Sequence, residues 1–289
     1  MTLNPKYLRG CVLAFDFAEL SGSTVYDLSG NGNHGTIYGA SWRKGPLIGS
    51  LYFDGENDYI EVADNPSLRV AGDLTLEMLI YQTRKDGVPI SKGYTREFDV
   101  RVNQFGSGRI YFFHGNGTDY ASIRTVVNAV KLNTWHHIGI VRDTGVKEVT
   151  IYVDGEDKTY SKTYTVDPSE GVKNVIVGAR VGPSTYFQGF VGFVRIYNRT
   201  LTENEIDSSY NNHIVNASKM VLFLDATFYN GTHYIDLSPY GNNATPYNGV
   251  QRVEADEKWI WKINGLYSDD KIHLLWFPVG SIVRFKNPS

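Results

Sequence analysis

The sequence predicts an all-β fold, a β-sandwich or jelly roll, and three observations carry that reading. Short runs alternate apolar and polar residues and are rich in β-branched and aromatic side chains. Turn dipeptides, Asn31-Gly32, Asp54-Gly55, Asn116-Gly117 and Asp154-Gly155, punctuate those runs. Helical periodicity is almost absent, while 20 tyrosines and 29 glycines fit strands joined by tight turns.

Taken in order, the strands are V12-L-A-F-D, L51-Y-F-D-G, T75-L-E-M-L-I-Y, F98-D-V-R-V, I110-Y-F-F, H137-I-G-I-V, V149-T-I-Y-V, V175-I-V-G and V191-G-F-V-R-I-Y. Asp154-Gly155 follows I151-Y-V directly and predicts a two-residue hairpin. The one helix expected is L201-T-E-N-E-I-D-S-S-Y, with Thr202 as its cap and Glu205 closing a capping box.

The chain also begins twice. Asp16, Asp27, Asn33, Thr36 and Gly55 recur as Asp225, Asp236, Asn242, Thr245 and Gly265, at an offset of 209 that becomes 210 at the last. Such self-similarity marks copies of one folding unit. The expected organisation is a domain over residues 1–212 and, over 213–289, a smaller β region repeating the first third of it. Three of the five tryptophans lie in this second region, and aromatic surface of that size is seldom left in water. A partial sheet also leaves strand edges unpaired. Both features point to a homo-oligomer formed through 213–289.

Composition excludes several classes of function. A formal net charge of −3, with no basic tract, offers no source for generic nucleic-acid binding. No apolar run is long enough for a transmembrane helix, so no membrane insertion is expected. M1-T-L-N-P-K-Y-L-R-G has no apolar signal core. One cysteine, Cys11, permits no internal disulfide.

The runs F53-D-G-E-N-D-Y-I-E-V, N133-T-W-H-H-I-G-I-V, I151-Y-V-D-G and F187-Q-G-F-V-G-F-V-R-I-Y-N-R-T-L occur in one order, after the opening D27-L-S-G-N-G-N-H-G-T. Together they resemble the laminin G-like domains of the concanavalin A-like lectin/glucanase superfamily. The resemblance implies an antiparallel two-sheet jelly-roll sandwich whose first and last strands lie side by side. The chain departs from that pattern at Gly192 and Phe193, where many members carry an acidic pair, and at Leu79, where many carry tryptophan.

Asp27, Asn31, Asn33, Asp54 and Asp58 are the richest cluster of oxygen donors, and calcium takes such oxygens from irregular loops, with Asp27, Asn33, Asp54 and Asp58 as the expected ligands. The resemblance implies the same ion. The competing and preferred reading is structural: Asp and Asn side chains bond nearby backbone groups and so build the loop. Sugar binding needs aromatic faces to stack on, and Tyr94, Tyr111, Phe113, Tyr120 and Tyr186 are the candidates. Tyr111 and Phe113 share one strand face, Ile110 and Phe112 the other.

Catalysis finds little support. Glycosidases of the related glucanase fold place carboxylates along one strand as E-x-D-x-E or E-x-D-x-x-E; no such run occurs here, and the nearest, Glu97-Phe98-Asp99, is followed by Val100-Arg101-Val102. His136 and His137, adjacent on a strand, face opposite ways and cannot share a zinc ion; one buried and one exposed ring are expected. Two readings of function follow. One is a non-catalytic, lectin-like recognition module for a glycan or protein surface, working outside the cell. The other is a structural protein of a virion or surface layer, oligomerising through its C-terminal region.

Overall fold

Alternation of apolar and polar residues becomes, in a computed structural model of the chain, a set of strands with one face inward. The structure describes residues 9–43, 49–211, 224–229, 234–236, 251–255 and 258–262. The chain divides into two units, Met1–Ile214 and Val215–Ser289.

In the first unit the strands are β1 (Cys11–Phe15), β2 (Thr24–Val25), β3 (Gly35–Tyr38), β4 (Ser41–Arg43), β5 (Ser50–Asp54), β6 (Tyr59–Val62), β7 (Leu74–Gln82) and β8 (Gly87–Ser91). They continue as β9 (Asp99–Val102), β10 (Ile110–Gly115), β11 (Tyr120–Arg124), β12 (Trp135–Asp143), β13 (Glu148–Val153), β14 (Glu156–Asp157), β15 (Val175–Val177) and β16 (Gln188–Tyr197). Helix α1 (Glu203–Tyr210) follows.

Among the described residues two antiparallel sheets of eight strands form. The first runs β14-β13-β12-β7-β16-β5-β4, with β1 also paired to β16, and the second runs β11-β10-β9-β8-β15-β6-β3-β2. The first strand lies beside the last, Leu13 opposite Ile196 and Phe15 opposite Val194. The result is the two-sheet jelly-roll sandwich that the resemblance implies.

One side of every long strand supplies the core. Leu76, Met78 and Ile80 of β7, Ile138 and Ile140 of β12, and Val194 and Ile196 of β16 meet Val100, Phe112, Val177 and Ile60 of the second sheet. Burying each such side chain stabilises the fold by about 1.5–3 kcal/mol. The β13–β14 turn puts Asp154 and Gly155 at φ 54° and 81°, with Val153 opposite Glu156. Both central residues are left-handed, as a two-residue hairpin of this twist requires. Thr202 and Glu205 form the expected capping box, each side chain meeting the other's backbone N–H. The helix lies close on the sheet because Gly139 has no side chain there; a Cβ would sit 3.0 Å from Ile206.

Several polar groups are buried within this frame. Arg142, fully buried, donates to the carbonyls of Val70, Gly72 and Glu97. His114 lies inside β10 with its ring edge-on to Tyr164 at 4.5 Å and its Nε2 2.9 Å from the Val166 carbonyl. Burial first, and then the Arg142 charge, push His114 down to about 4. The unfolded chain therefore takes up a proton near pH 6.5 that the folded chain refuses until about pH 4. Stability falls as pH drops through that window, by on the order of 3 kcal/mol. Denaturant titrations between pH 7 and 4 should show this slope, flattened in His114→Phe; equal slopes in both proteins would contradict it.

In the second unit β17 (Leu224–Tyr229) pairs with β18 (Tyr234–Asp236), and β19 (Gln251–Ala255) with β20 (Lys258–Lys262). Arg252 stands opposite Trp261. In the first unit Trp42 stands opposite Leu51, the same register 210 residues earlier. Most of the β region expected over 213–289, and with it the homo-oligomer expected to form there, lies outside the described residues.

Candidate functional site

The candidate site lies on the face of the second sheet turned away from the core. Because Ile123, Phe112, Val100, Ile90, Val177 and Ile60 point inward, their neighbours point out. Strand pairing then lines up one outward row across the sheet: Ser122, Phe113, Asp99, Ser91, Ile176, Glu61, Thr36 and Thr24. A second row beside it sets Arg124 opposite Tyr111 and Tyr111 opposite Arg101.

Four of the five aromatic residues singled out in the sequence meet here. Tyr94 packs edge-on to Tyr120 at 5.4 Å, Phe113 lies 6.0 Å from Tyr120, and Tyr111 stacks along Phe113 at 6.2 Å and 15°. Tyr120 is 49% exposed and Phe113 only 8%. Phe113 is therefore the floor of the cluster rather than a free stacking face, because Arg101 covers it with its Cζ 4.4 Å from the ring centre. Tyr186 stands apart. It shares the segment after β15 with Arg180, its hydroxyl donates to the Pro183 carbonyl at 3.0 Å, and it makes no ring contact with the other four among the described residues.

Charged groups complete the cluster. Arg180 rests on the Tyr94 ring at 4.6 Å, and Arg101 lies 6.0 Å from the same ring. Arg101 Nε donates to Asp99 Oδ2 at 2.9 Å. Asp99 is fully buried, and its Oδ1 has no hydrogen-bond partner among the described residues, an acceptor left over at the base of the candidate site. The loop bearing Tyr94 is clamped at its root. Lys92, fully buried, donates to Asp64 at 3.0 Å and to the Gly171 carbonyl at 3.1 Å and pairs with Glu97 at 2.7 Å. Burial pushes the Glu97 carboxyl up, against the pull of Lys92.

Sequence reasoning missed Arg101, Arg180, Arg124 and Asp99. The alternation in D99-V-R-V places Asp99 and Arg101 on one face, but which rings they meet depends on the β9–β10 register. It also missed a second aromatic row, on the outer face of the first sheet. Trp135, Tyr81, Phe190 and Tyr52 stand one per strand on β12, β7, β16 and β5, with ring centres 5.6, 5.7 and 5.0 Å apart. Beside that row the two departures from the family pattern meet: a Cβ on Gly192 would lie 2.9 Å from Leu79, at a bulge in β16. Glycine there makes room for leucine.

The oxygen donors considered for calcium are used by the protein itself. Asp27 Oδ1 accepts from the Ala14 and Ser29 N–H groups, both at 2.9 Å. Its Oδ2 accepts from Ser29 Oγ at 2.7 Å and the Asn33 N–H at 3.0 Å. Asn33 Nδ2 donates to the Val12 carbonyl at 2.7 Å and to Ser67 Oγ at 2.9 Å. Asp54 Oδ1 accepts from the Glu56 N–H at 2.8 Å, and Asp58 Oδ2 from the Asp54 N–H at 2.8 Å. Burial pushes the Asp58 carboxyl up. Among the described residues no three His, Cys, Asp or Glu gather to hold a metal ion. In this arrangement they tie loops to strands, which favours the structural reading. Melting curves in millimolar calcium and in chelator are expected to coincide, and a calcium-dependent rise would place an ion at the 27–33 loop.

The paired histidines differ from expectation, since both are buried. His136 Nδ1 lies 2.7 Å from Asp154 and its Nε2 accepts the Lys131 N–H at 2.9 Å. His137 Nε2 lies 3.3 Å from Glu77. The outer face at His137 is covered by α1, whose Tyr210 ring is 6.0 Å away, so the ring expected in solvent is enclosed.

A laminin G family model, described as concanavalin A-like lectin/glucanases superfamily, matches residues 54–207. Among solved structures, the binding domain of Paraclostridial Mosquitocidal Protein 1 aligns with a TM-score of 0.60 at 17% identity, over 79% of this chain and 58% of that one. Domain 4 of AbnA, a GH43 extracellular arabinanase from Geobacillus stearothermophilus in complex with arabinotriose, aligns at 0.56 and 16%, over 68% and 97%. The binding domain of botulinum neurotoxin DC in complex with SialylT aligns at 0.56 and 12%, over 76% and 54%. No curated protein matches the chain. At these identities the structural likeness is one of fold. The family match spans more than half of the chain, which belongs to the concanavalin A-like lectin/glucanase superfamily.

Proposed function

We propose that this chain is a non-catalytic, lectin-like recognition module that binds a glycan on the outer face of its second sheet. The observation that carries the reading is the cluster of Tyr94, Tyr111 and Tyr120 around Phe113, with Arg101 and Arg180 against its rings. Tyrosine offers an apolar face to the C–H side of a pyranose and a hydroxyl to its edge. Guanidinium groups donate to sugar oxygens, and the spare Asp99 Oδ1 can accept from a hydroxyl if Arg101 swings aside. Two of the solved relatives support the reading, since their structures hold arabinotriose and SialylT. An extracellular setting fits the same relatives, one of them part of an extracellular arabinanase.

Hydrolysis is disfavoured by what the carboxylates already do. Glycosidases need two acids flanking the scissile bond, about 5–5.5 Å apart for retention. Glu97 and Asp99, at alternate positions, are fully buried, the first paired with Lys92 and the second with Arg101. The test is a glycan array probed with the full chain, followed by titration of the best oligosaccharide and assay for its cleavage. Saturable binding with the oligosaccharide recovered intact is expected. Turnover that vanishes on changing a single Asp or Glu, or an array without a hit, would overturn the reading.

A further inference from the structure

The arginines on this face carry information that the rings do not. Two tyrosines each have two guanidinium groups against the ring: Tyr94 with Arg180 at 4.6 Å and Arg101 at 6.0 Å, and Tyr160 with Arg124 at 5.3 Å and Arg109 at 6.0 Å. Arg124, Tyr111 and Arg101 lie side by side on neighbouring strands. Of the four arginines only Arg101 has a carboxylate partner among the described residues, Asp99. Arg109, Arg124 and Arg180 form no ion pair there. A guanidinium lying on an aromatic face is held in place without being neutralised, so its edge donors stay available for a planar anion. The chain as a whole is slightly acidic, at −3, so this local surplus of positive charge is a property of the face.

We propose that the ligand is an acidic glycan, a carboxylated or sulfated oligosaccharide whose anionic groups are met by Arg180 and Arg124 while its rings lie on Tyr94 and Tyr111. The inference rests on the glycan reading above and adds the chemical class. Charge-assisted hydrogen bonds to carboxylate or sulfate are the strong ones, and arginine's fork matches both groups. A neutral sugar would gain only the weaker hydrogen bonds to its hydroxyl oxygens.

The test compares oligosaccharides that differ only in charge, titrated into the full chain by calorimetry. Suitable pairs are oligogalacturonate and its methyl ester, sialyllactose and lactose, and a sulfated galactan oligosaccharide and its neutral counterpart. At least one acidic member should bind roughly tenfold tighter than its partner. That margin should shrink as salt rises from about 50 to about 300 mM, where screening shortens. R180Q and R124Q should each reduce it several-fold without shifting the melting temperature, because neither side chain hydrogen-bonds to another side chain or backbone group among the described residues. If neutral members bind as tightly as acidic ones and R180Q and R124Q change nothing, the acidic class is wrong while the glycan reading stands. If no oligosaccharide of either kind binds but an acidic peptide does, both fail.

Discussion

Glu77→Leu should lower the stability of the first unit by about 3–5 kcal/mol, the usual consequence of removing one side of a buried ion pair. For a unit of this size the melting temperature should fall by roughly 10 °C. Glu77 sits on the outer face of β7 beneath α1 and is almost fully buried. Tyr197 donates its hydroxyl to Glu77 Oε2 at 3.0 Å, His137 Nε2 lies 3.3 Å from Oε1, and Arg195 lies 3.7 Å from Oε2. Burial alone would raise this carboxyl, yet His137, Arg195 and Ser209 outweigh it and hold it at about 2. The sign follows. The folded chain keeps Glu77 ionised below the pH at which the unfolded chain protonates it. Its contribution is therefore complete above about pH 4.5 and is lost as pH falls toward 2. Burial also pushes the Tyr197 hydroxyl up, and the Glu77 charge adds to it, so this phenol stays a donor. Glu77→Gln, which keeps the shape and one acceptor, should lose less than Glu77→Leu. Unchanged melting in both variants would mean that the cluster is not what fixes α1 and β16 to the sheet.

Tyr111→Ala should weaken glycan binding by tenfold or more, the scale on which central aromatic anchors act. Tyr94→Ala should act in the same direction, since Tyr94 also holds Arg180. Trp135→Ala and Tyr52→Ala, in the aromatic row of the other sheet, should leave binding unchanged. That contrast matters because both faces carry half-buried aromatic rings. Among the described residues the second sheet combines them with Arg101 and Arg180 against the rings and with the unpartnered buried Asp99 Oδ1. Loss of binding in Trp135→Ala, with Tyr111→Ala unaffected, would move the site to the first sheet.

Much of the fold is legible in the sequence because its signals are local. The two-residue period of T75-L-E-M-L-I-Y fixes which side chains enter the core, and Asp154-Gly155 fixes the hairpin through backbone conformations open to few residues. Thr202 and Glu205 mark the start of α1 by a reciprocal bond within one turn. The pairing of β1 with β16 is not local, and it is readable only through the resemblance of V191-G-F-V-R-I-Y to the closing strand of the family.

The site is less legible, for a physical reason. Tyr111 and Phe113 are placed on one face by alternation, but their exposure depends on Arg101 and Tyr120, brought in by strands on either side. His137 is expected outside or inside with equal warrant until α1 and Glu77, 60 residues away in the chain, are known to cover it. Asp27 and Asn33 read as metal ligands or loop builders from the same letters. The partners Ala14, Val12 and Ser67, which favour the second reading, stand 13, 21 and 34 residues away in the chain.

The central claim, that a glycan lies on the outer face of the second sheet, is tested most directly by backbone amide shifts during titration with the best-binding oligosaccharide. The largest changes should fall on Tyr94, Asp99, Arg101, Tyr111, Tyr120 and Arg180, with none at Tyr52, Tyr81, Trp135 or Phe190. Changes concentrated on those four residues, or on the loop 27–33, would contradict it.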